Sequence, residues 1–483
     1  MILTGLIVGA VLGIVMQRGR FCVTGMLRDI FLQKSWRTFA ALLIVISVHA
    51  IGLAALTSLG VIAPEYSTFA PAAVIIGGFM FGIGIILAGG CASGTWYRSG
   101  EGLVGSWVAL AMYALSASAM KGGMLDGFNS WMTSWDTGLT TIPAALGISP
   151  WIFAIALAVF TGIMVRRFMI REAGSPKPAR LNNRPAWKRP LHVYNAAWMI
   201  GLLGVIAWPL SAAAGRNGGL GITTPSAHTV DFITTGDAKF MNWGTLLVLG
   251  LLIGSFIAAK ATGEFRIRVA DAKTTVRAVV GGVLMGIGAA LAGGCTVGNG
   301  MVETSLFSFQ GWIALLFIAL GVGAGTKLWL KPSAAQPAAA AQDTETYSTS
   351  ESLDHNISNE NPSGNSIDAT PSKSPRNTHA FSGFAAAPSA LMVKDPTLAP
   401  SKKLKDLGEG YYALDSLGAV CPFPLIEAKD VMKTLQSGDH LVIDFDCTQA
   451  TEAIPHWAAT DGHEVTDFVE KGEASWQITL KKG

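Results

Sequence analysis

The sequence predicts a polytopic α-helical membrane protein, built as an inverted repeat with broken helices and followed by a small α+β two-layer domain. Half of the 483 residues are hydrophobic and 14% are charged, which is about half the usual share of charge. Apolar runs of roughly 20 residues, long enough to cross a bilayer, recur as far as residue 330. One such run occurs twice, with adjacent glycines and a cysteine at the same places in both copies.

We predict nine membrane crossings from these apolar runs. Two of the nine contain a Gly-Gly-Cys interruption and are counted as crossing once each. The predicted spans lie near residues 1–17, 38–60, 71–98, 101–119, 148–167, 193–213, 240–261, 278–303 and 305–330.

The repeated segment is GGFMFGIGIILAGGCASG at residues 77–94 and GGVLMGIGAALAGGCTVG at residues 281–298. Each copy reads as an apolar half-helix, a flexible Gly-Gly, a thiol (Cys91 or Cys295) and a new helix start. Apolar segments interrupted at matching places in two halves indicate the substrate site of a transporter. The alternative is that Gly-Gly-Cys only allows close helix packing.

Three basic stretches predict the orientation of the chain. Residues 18–37 carry five Lys or Arg and one acidic residue, residues 166–190 carry eight and one, and residues 260–277 carry five and two. Because cytoplasmic loops are enriched in Lys and Arg, we expect all three on the cytoplasmic side. Nine spans then put the N-terminus outside and the C-terminus inside, and the two Gly-Gly-Cys segments run in opposite directions.

The breaks favour binding of a soft anion. A helix that restarts after a cysteine leaves backbone N–H groups unpaired at its N-terminus, and these groups and the helix dipole attract an anion. Glycine lets the anion approach the backbone, and a thiol adds a weak donor and a polarisable sulfur. The substrate-binding residues predicted from the two copies are Gly90, Cys91, Gly94, Gly294, Cys295 and Gly298.

A third thiol follows the first span, in GRFCVTG at residues 19–25. The second half has a weaker counterpart, GRNGGLGIT at residues 215–223, which lacks the cysteine. We therefore expect three thiols at the pseudo-symmetric site, with Cys22 as the third. The competing interpretation of Cys22 is a small buried residue. Arg20 and Arg216 could hold or steer an anion, but anchors at the cytoplasmic edge are the favoured interpretation.

Charge and composition divide the chain into three parts. Residues 1–330 have a net charge of +12, residues 331–403 of −1 and residues 404–483 of −8. Residues 331–403 are too poor in apolar residues to fold, so we expect a disordered linker. Five cysteines without a C-x-x-C pair suggest free thiols. We expect no cofactor and no metal. We also expect no nucleic-acid partner, because the positive charge lies in loops between spans, where membrane orientation explains it.

The last 80 residues predict strands at 411–415, 440–446, 464–469 and 475–481, and helices at 422–436 and 450–461. Cys421 follows the first strand and opens the first helix, with Pro422 in a favoured first-turn position. A helix N-terminus stabilises a thiolate, so we expect Cys421 to be nucleophilic and able to hold sulfur as a persulfide. Cys447 reads as a core residue, or alternatively as a resolving thiol.

These motifs resemble two known families. Residues 1–330, with GRFCVTG, LAGGCASG and LAGGCTVG, resemble the YeeE/YedE family of thiosulfate transporters, and residues 404–483, with CPFP, resemble the TusA/SirA-like sulfur carriers. The resemblance implies a fused transporter and carrier that takes up thiosulfate across the inner membrane. It maps the family's substrate path onto Cys22, Cys91 and Cys295, with Cys91 the most critical, and the carrier's catalytic cysteine onto Cys421.

The predicted function is primarily transport, with enzymatic activity of the last domain left open. Thiosulfate would pass Cys91, Cys295 and Cys22 by hydrogen bonding and reach Cys421 on an acidic domain that docks on the basic cytoplasmic face. Membrane lipid is the other expected partner. The alternatives are a membrane-anchored sulfurtransferase that moves sulfur covalently, and an importer of a related sulfur or selenium species.

Overall fold

The computed structural model describes residues 1–173, 179, 181, 185–330, 404–419 and 422–483. The linker predicted at 331–403 and the nucleophile predicted at Cys421 lie outside these residues. The membrane part and the C-terminal domain belong to one compact unit.

The regular secondary structure of the membrane part is helical in its described residues. Short 3₁₀ turns at Ala186–Lys188 and Ala238–Phe240 and a π-helix at Gly298–Glu303 accompany fourteen α-helices. The α-helices are α1 (Leu3–Arg18), α2 (Val23–Leu32), α3 (Arg37–Ser58), α4 (Pro71–Leu87), α5 (Ala92–Gly100), α6 (Val104–Lys121), α7 (Asp126–Thr133), α8 (Ile142–Leu146), α9 (Pro150–Ala173), α10 (Val193–Ala213), α11 (Thr223–Thr235), α12 (Trp243–Thr262), α13 (Ala272–Leu291) and α14 (Phe309–Trp329).

The predicted number of spans is confirmed. Within the described residues, eight helices or helix pairs are long and apolar enough to cross a membrane, and α6 with the bent-off α7 is a ninth if this pair is counted as one span. Two of the eight are the pairs α1–α2 and α4–α5, each interrupted by a few non-helical residues. Their apolar composition, with few charges inside each window, is what a bilayer interior requires.

The helices form two sets with the same order. Each set has a broken helix, a long helix, a second broken helix and a second long helix. The first set is α1–α2, α3, α4–α5 and α6, and the second is α10–α11, α12, α13 with the π-helix, and α14. Packing follows this symmetry, because α1 packs on α12 as α10 packs on α3, and α4 packs on α14 as α13 packs on α6.

Close glycine contacts give the helix directions. Gly77 lies against Gly288, whereas Gly84 lies against Gly281, so α4 and α13 are antiparallel. This is the opposite direction predicted for the two Gly-Gly-Cys segments, and it makes the two sets an inverted repeat.

A glycine stripe on α1 shows why the helices pack so closely. Gly5, Gly9 and Gly13 lie against the backbone of Trp243, Leu247 and Leu251 on α12, in the same order along both helices. The two helices are therefore parallel and touch backbone to backbone. In a membrane this packing contributes by van der Waals contact, since lipid tails supply no hydrophobic driving force between helices.

The C-terminal domain is one five-stranded sheet with two helices. Its strands are β1 (Leu404–Gly408), β2 (Tyr411–Ser416), β3 (His440–Phe445), β4 (Glu464–Gly472) and β5 (Ser475–Lys481), in the order β1-β2-β3-β5-β4, and its helices are α15 (Phe423–Thr434) and α16 (Ala450–Asp461). β2 and β3 are parallel and the other pairs are antiparallel. The core includes Phe445 and Trp476, both fully buried.

The predicted α+β domain is confirmed, with two differences. β1 was not predicted, because its sequence LKDLG is mostly exposed and has no apolar alternation. The expectation of free thiols throughout is wrong for Cys447, which is disulfide-bonded. Cys22, Cys91 and Cys295 are free.

The crossing of α4 and α13 predicts the effect of adding one methyl group. A Cβ at Gly84 would lie 2.8 Å from Met285 N and 2.9 Å from Gly281 O, so the two helices must separate. We expect Gly84→Ala to destabilise the protein by about 1–3 kcal/mol, the usual cost of overpacking. The measurement is the thermal midpoint of the detergent-solubilised chain.

Gly162→Ala is the matched control, since Gly162 is exposed on α9 and its added Cβ meets nothing within 4 Å. This change removes a helix-interior glycine and should stabilise slightly. Equal midpoints for the two variants would contradict the proposed backbone contact.

Candidate functional site

The first break begins with a glycine that reverses the chain. Gly89 has φ +73°, a left-handed conformation that costs glycine little and therefore ends α4. Gly90 then packs against Gly94, and Arg98 donates a hydrogen bond back to the carbonyl of Gly89. Residues 89–91 therefore run back alongside α5, and Cys91 is the N-cap residue of that helix.

The second break repeats this geometry up to its cysteine. Gly293 also has φ +73°, and Cys295 is fully buried. The restart differs, because it is a π-helix rather than an α-helix. The side chain of Asn299 donates to the carbonyls of Ala292 at 2.7 Å and Gly294 at 2.9 Å, which satisfies the end of α13 and holds the wider turn.

The remaining two breaks differ in the residue at the N-cap. Cys22 is the N-cap residue of α2, and Ile222 is the N-cap residue of α11. Ile222 therefore occupies the position that a fourth thiol would have. The weak GRNGGLGIT counterpart in the sequence corresponds to a real fourth break between α10 and α11.

The four breaks converge. The thiols of Cys22 and Cys91 contact each other, and a Cβ at Gly94 would lie 3.6 Å and 3.3 Å from their sulfurs. Thr296, next to Cys295, lies beside the Cys91 thiol. Three thiols and the N-termini of α2 and α5 thus meet in the interior.

Tyr113 of α6 joins the remaining break to this centre. Its ring lies near Cys91 and Cys295, and its hydroxyl donates to Thr223 Oγ1 at 2.9 Å. Thr223 is the first residue of α11. The N-terminus of α11 is therefore also directed at the thiols.

The order of the thiols differs from the expected Cys91, Cys295, Cys22. Because α4 and α13 are antiparallel, the breaks of Cys91 and Cys295 enter from opposite ends of the molecule. Cys22 and Cys91 come from the end that faces the C-terminal domain. Cys91 contacts both Cys22 and the Thr296 break, so it lies between the other two thiols.

Arg98 supplies a positive charge at the centre. It is 5% exposed, and its Nη2 lies 3.7 Å from the sulfur of Cys22. Its other bond, to the Gly89 carbonyl, fixes the first break. The guanidinium stays protonated under all ordinary conditions, so it is a permanent cation beside the thiols.

A buried polar network lies between this centre and the C-terminal domain. The Nε2 of Gln17 donates to Glu101 at 3.3 Å and to Glu264 at 2.8 Å, and Arg20 forms a salt bridge with Glu264 at 3.2 Å. Arg20 has φ +48° and is 9% exposed, and it also donates to Thr451 of α16. Arg20 is therefore buried between the membrane part and the C-terminal domain.

Two further contacts connect the C-terminal domain with the membrane part. Arg268 donates to the backbone carbonyl of Asp446 at 2.6 Å, and Gln449 donates to the Tyr97 hydroxyl at 3.3 Å. Burial lowers the pKa of Arg268, although a guanidinium remains charged near neutral pH. The apolar side chain of Ile426 is buried in the core of the membrane part.

A cavity of about 80 Å³ lies between the two parts. Basic side chains and Thr24 line one wall, and loops of the C-terminal domain line the other. The lining residues include Thr24, Arg28, Arg98 and Arg268, together with the acidic Glu101 and Asp446. Within the described residues, no group of three or more His, Cys, Asp or Glu could hold a metal ion.

Comparison with known proteins identifies the family. A family model described as sulphur transport matches residues 18–324, which is more than half of the chain. The chain belongs to the sulphur transport family. A second model, described as sulfurtransferase TusA, matches residues 412–482.

Named relatives of this sulphur transport family member cover both parts. The thiosulfate transporter TsuA of Escherichia coli is 47% identical over 338 residues, covering 68% of this chain and 94% of TsuA. TsuA of Spirochaeta thermophila is 33% identical over 335 residues, covering 66% of this chain and 97% of its own length. The putative sulfur carrier protein TsuB of E. coli is 61% identical over 69 residues, covering 14% of this chain and 92% of TsuB.

The predicted site residues do not all reach the centre of this family member. Cys22, Cys91, Gly94 and Cys295 lie there, and Gly90 packs within the first break. Gly294 packs against Asn299, and a Cβ at Gly298 would meet nothing within 4 Å.

Sequence reasoning missed Thr296 and Tyr113. Thr296 could have been found, because each cysteine of the three motifs is followed within two residues by Ser or Thr. Tyr113 has no such local pattern, since only the packing of α6 against α13 brings it to the thiols.

The reversed chain at Gly89 yields a stability prediction with a neighbouring control. Gly89→Ala forces a side chain into the left-handed region, which costs about 1 kcal/mol or more. A Cβ at Gly90 would meet its nearest atom, Arg98 Nη1, at 3.4 Å, an ordinary contact. We expect Gly89→Ala to lower the thermal midpoint of the purified protein more than Gly90→Ala does; the reverse order would contradict the assignment of the turn.

Proposed function

We propose that this chain takes up thiosulfate across the inner membrane and passes it to its own C-terminal carrier domain in the cytoplasm. The observation that carries the proposal is the convergence of three buried thiols, helix N-termini and Arg98 at one point inside the membrane part. The names of the relatives, thiosulfate transporter and putative sulfur carrier, support the same substrate.

The chemistry of the centre fits a soft dianion. Thiosulfate carries two negative charges, three hard oxygens and one polarisable terminal sulfur. Helix N-termini and the Arg98 guanidinium stabilise the charge where no bulk water can. The thiols of Cys22, Cys91 and Cys295 can donate weak S–H hydrogen bonds to the anion. Their polarisable sulfur atoms also attract its terminal sulfur by dispersion.

The order of the thiols suggests the route. Thiosulfate meets Cys295 from the outside, then Cys91, then Cys22, and leaves past Arg98 into the basic cavity. No covalent bond to the anion is needed on this route. A series of weak sites permits both arrival and departure, which one tight site would prevent.

We infer that residues 404–483 dock on the cytoplasmic face to receive the anion. The net charges of −8 and +12 favour association, and the hydrogen bonds from Arg268 to Asp446 and from Arg20 to Thr451 support it. In the reduced form of the C-terminal domain, in which Cys447 is no longer disulfide-bonded, a thiolate at Cys421 would attack the terminal sulfur, leaving sulfite and a cysteine persulfide: CysS⁻ + SSO₃²⁻ → CysSS⁻ + SO₃²⁻. Removal of cytoplasmic thiosulfate by this reaction would favour net uptake into the cell.

In the proposed arrangement the N-terminus lies outside the cell membrane and residues 331–403 link the two domains. Lipid surrounds the membrane spans.

The main alternative is a membrane-anchored sulfurtransferase, to which the name of the TusA family model also corresponds. Sealed vesicles and labelled thiosulfate separate the two functions, because a transporter accumulates the intact anion and an anchored enzyme does not. Competition by selenium and other sulfur anions in the same assay addresses the remaining alternative.

Gly94 offers a test of the proposed path that spares the thiols. A methyl group there would lie between the sulfurs of Cys22 and Cys91, so we expect Gly94→Ala to reduce thiosulfate uptake by about tenfold or more in vesicles. Gly298→Ala, at the corresponding place in the second copy, meets open space and should keep uptake near the wild-type rate. Cys91→Ala serves as the inactive reference. Normal uptake by Gly94→Ala would exclude passage between these two thiols.

A second test concerns the carrier domain. Cells that depend on this chain and on thiosulfate as sole sulfur source should stop growing when it carries Cys421→Ala, because the accepting thiolate is lost. Growth on cysteine and the amount of protein in the membrane are the controls. Unchanged growth on thiosulfate would refute the role of the carrier thiol.

A further inference from the structure

Each thiol of the centre has a hydroxyl close to it in sequence. Thr24 follows Cys22 by two residues, Ser93 follows Cys91 by two, and Thr296 directly follows Cys295. The proposed function so far uses only the sulfur of these pairs. Thiosulfate, however, has three oxygen atoms that also lose their water inside the protein.

Two of these hydroxyls are buried without a hydrogen bond. Thr296 is 0% exposed and Thr24 is 3% exposed, and neither side-chain oxygen has a hydrogen bond of normal geometry among the described residues, although that of Thr296 lies near the Cys91 thiol. Ser93 differs, because its hydroxyl lies 3.5 Å from the Cys91 sulfur and the two can share a hydrogen bond. Buried polar groups in proteins are nearly always bonded, so two unpaired hydroxyls beside the thiols need an explanation.

The two unpaired hydroxyls lie at successive points of the route. Thr296 belongs to the break of Cys295 and lies beside the Cys91 thiol. Thr24 belongs to the break of Cys22 and lines the basic cavity together with Arg28 and Arg98. One hydroxyl is therefore placed before the contact of Cys91 with Cys22, and the other after it.

We propose that Thr296 and then Thr24 bind the sulfonate oxygens of thiosulfate while the neighbouring thiols hold its terminal sulfur. This inference rests on the proposed function and adds its selectivity. Thiols alone would accept any soft sulfur anion, and hydroxyls with helix N-termini alone would accept sulfate. A thiol and a hydroxyl together select an anion that is soft at one end and hard at the other, and they keep it in one orientation along the route.

The proposal predicts opposite changes in uptake and stability for one substitution. Thr296→Val keeps the shape and removes the hydroxyl, so thiosulfate uptake should fall about tenfold or more, the factor for losing one hydrogen bond to a charged group. The thermal midpoint of the unliganded protein should stay equal or rise, because a buried unpaired group is removed. Thr24→Val should behave in the same way, and Thr296→Ser, which keeps the hydroxyl, should retain most uptake.

Thr161→Val is the matched control. Thr161 is a buried threonine of α9, and its hydroxyl is hydrogen-bonded to Ser47 Oγ of α3 at 2.9 Å. Its removal should lower the thermal midpoint and leave uptake intact, the converse of Thr296→Val.

The outcomes distinguish this inference from the function on which it rests. Failure of the wild-type vesicles to accumulate labelled thiosulfate would overturn the transport proposal and this inference with it. Wild-type uptake with equal uptake by Thr296→Val would overturn this inference alone. A lower thermal midpoint for Thr296→Val would also overturn it, because the hydroxyl would then have a structural partner.

Discussion

The antiparallel crossing of α4 and α13 is the contact on which the centre depends. Both helices stop inside the molecule, and a chain that stops there must satisfy its freed N–H and C=O groups without water. Gly77 against Gly288 and Gly84 against Gly281 bring the two backbones together over their whole contact. The breaks then lie at opposite ends of one pair of helices and turn back towards each other. A side chain at any of these glycines would push the helices apart and separate the thiols.

The same constraint explains how the breaks are stabilised. The protein satisfies most freed groups itself, since Arg98 bonds the Gly89 carbonyl and Asn299 bonds two carbonyls at the end of α13. Among the described residues it leaves several buried side-chain atoms without a hydrogen bond, and the hydroxyls of Thr24 and Thr296 are two of them, beside the thiols. A buried hydroxyl without a partner costs about 1–3 kcal/mol, which a protein selected only for stability would avoid. For Thr24 and Thr296, which lie beside the thiols, pairing with the oxygens of a passing anion is the explanation we propose above.

Local patterns predicted the elements, and only packing could supply their arrangement. Hydropathy, the Gly-Gly-Cys repeat and the Lys/Arg bias were enough for the spans, the breaks and the inverted directions. They could not order the thiols, because Cys91 becomes central only when two loops from opposite ends meet. They also could not predict the π-helix, which depends on Asn299 reaching back seven residues to Ala292. In the C-terminal domain β1 escaped prediction, since an exposed edge strand carries little apolar alternation.

Arg20 connects the thiol centre with the C-terminal domain. It lies two residues before Cys22, in a left-handed conformation that is strained for arginine, and it bonds both Glu264 and Thr451. A residue held in such a conformation depends on its contacts, and the Thr451 contact is one of those that hold Arg20 in the break between α1 and α2. Net charge acts over about one Debye length and can only bring the acidic domain near. The hydrogen bonds of Arg20 are made two residues before Cys22, so a buried side chain joins the C-terminal domain directly to the backbone that carries this thiol.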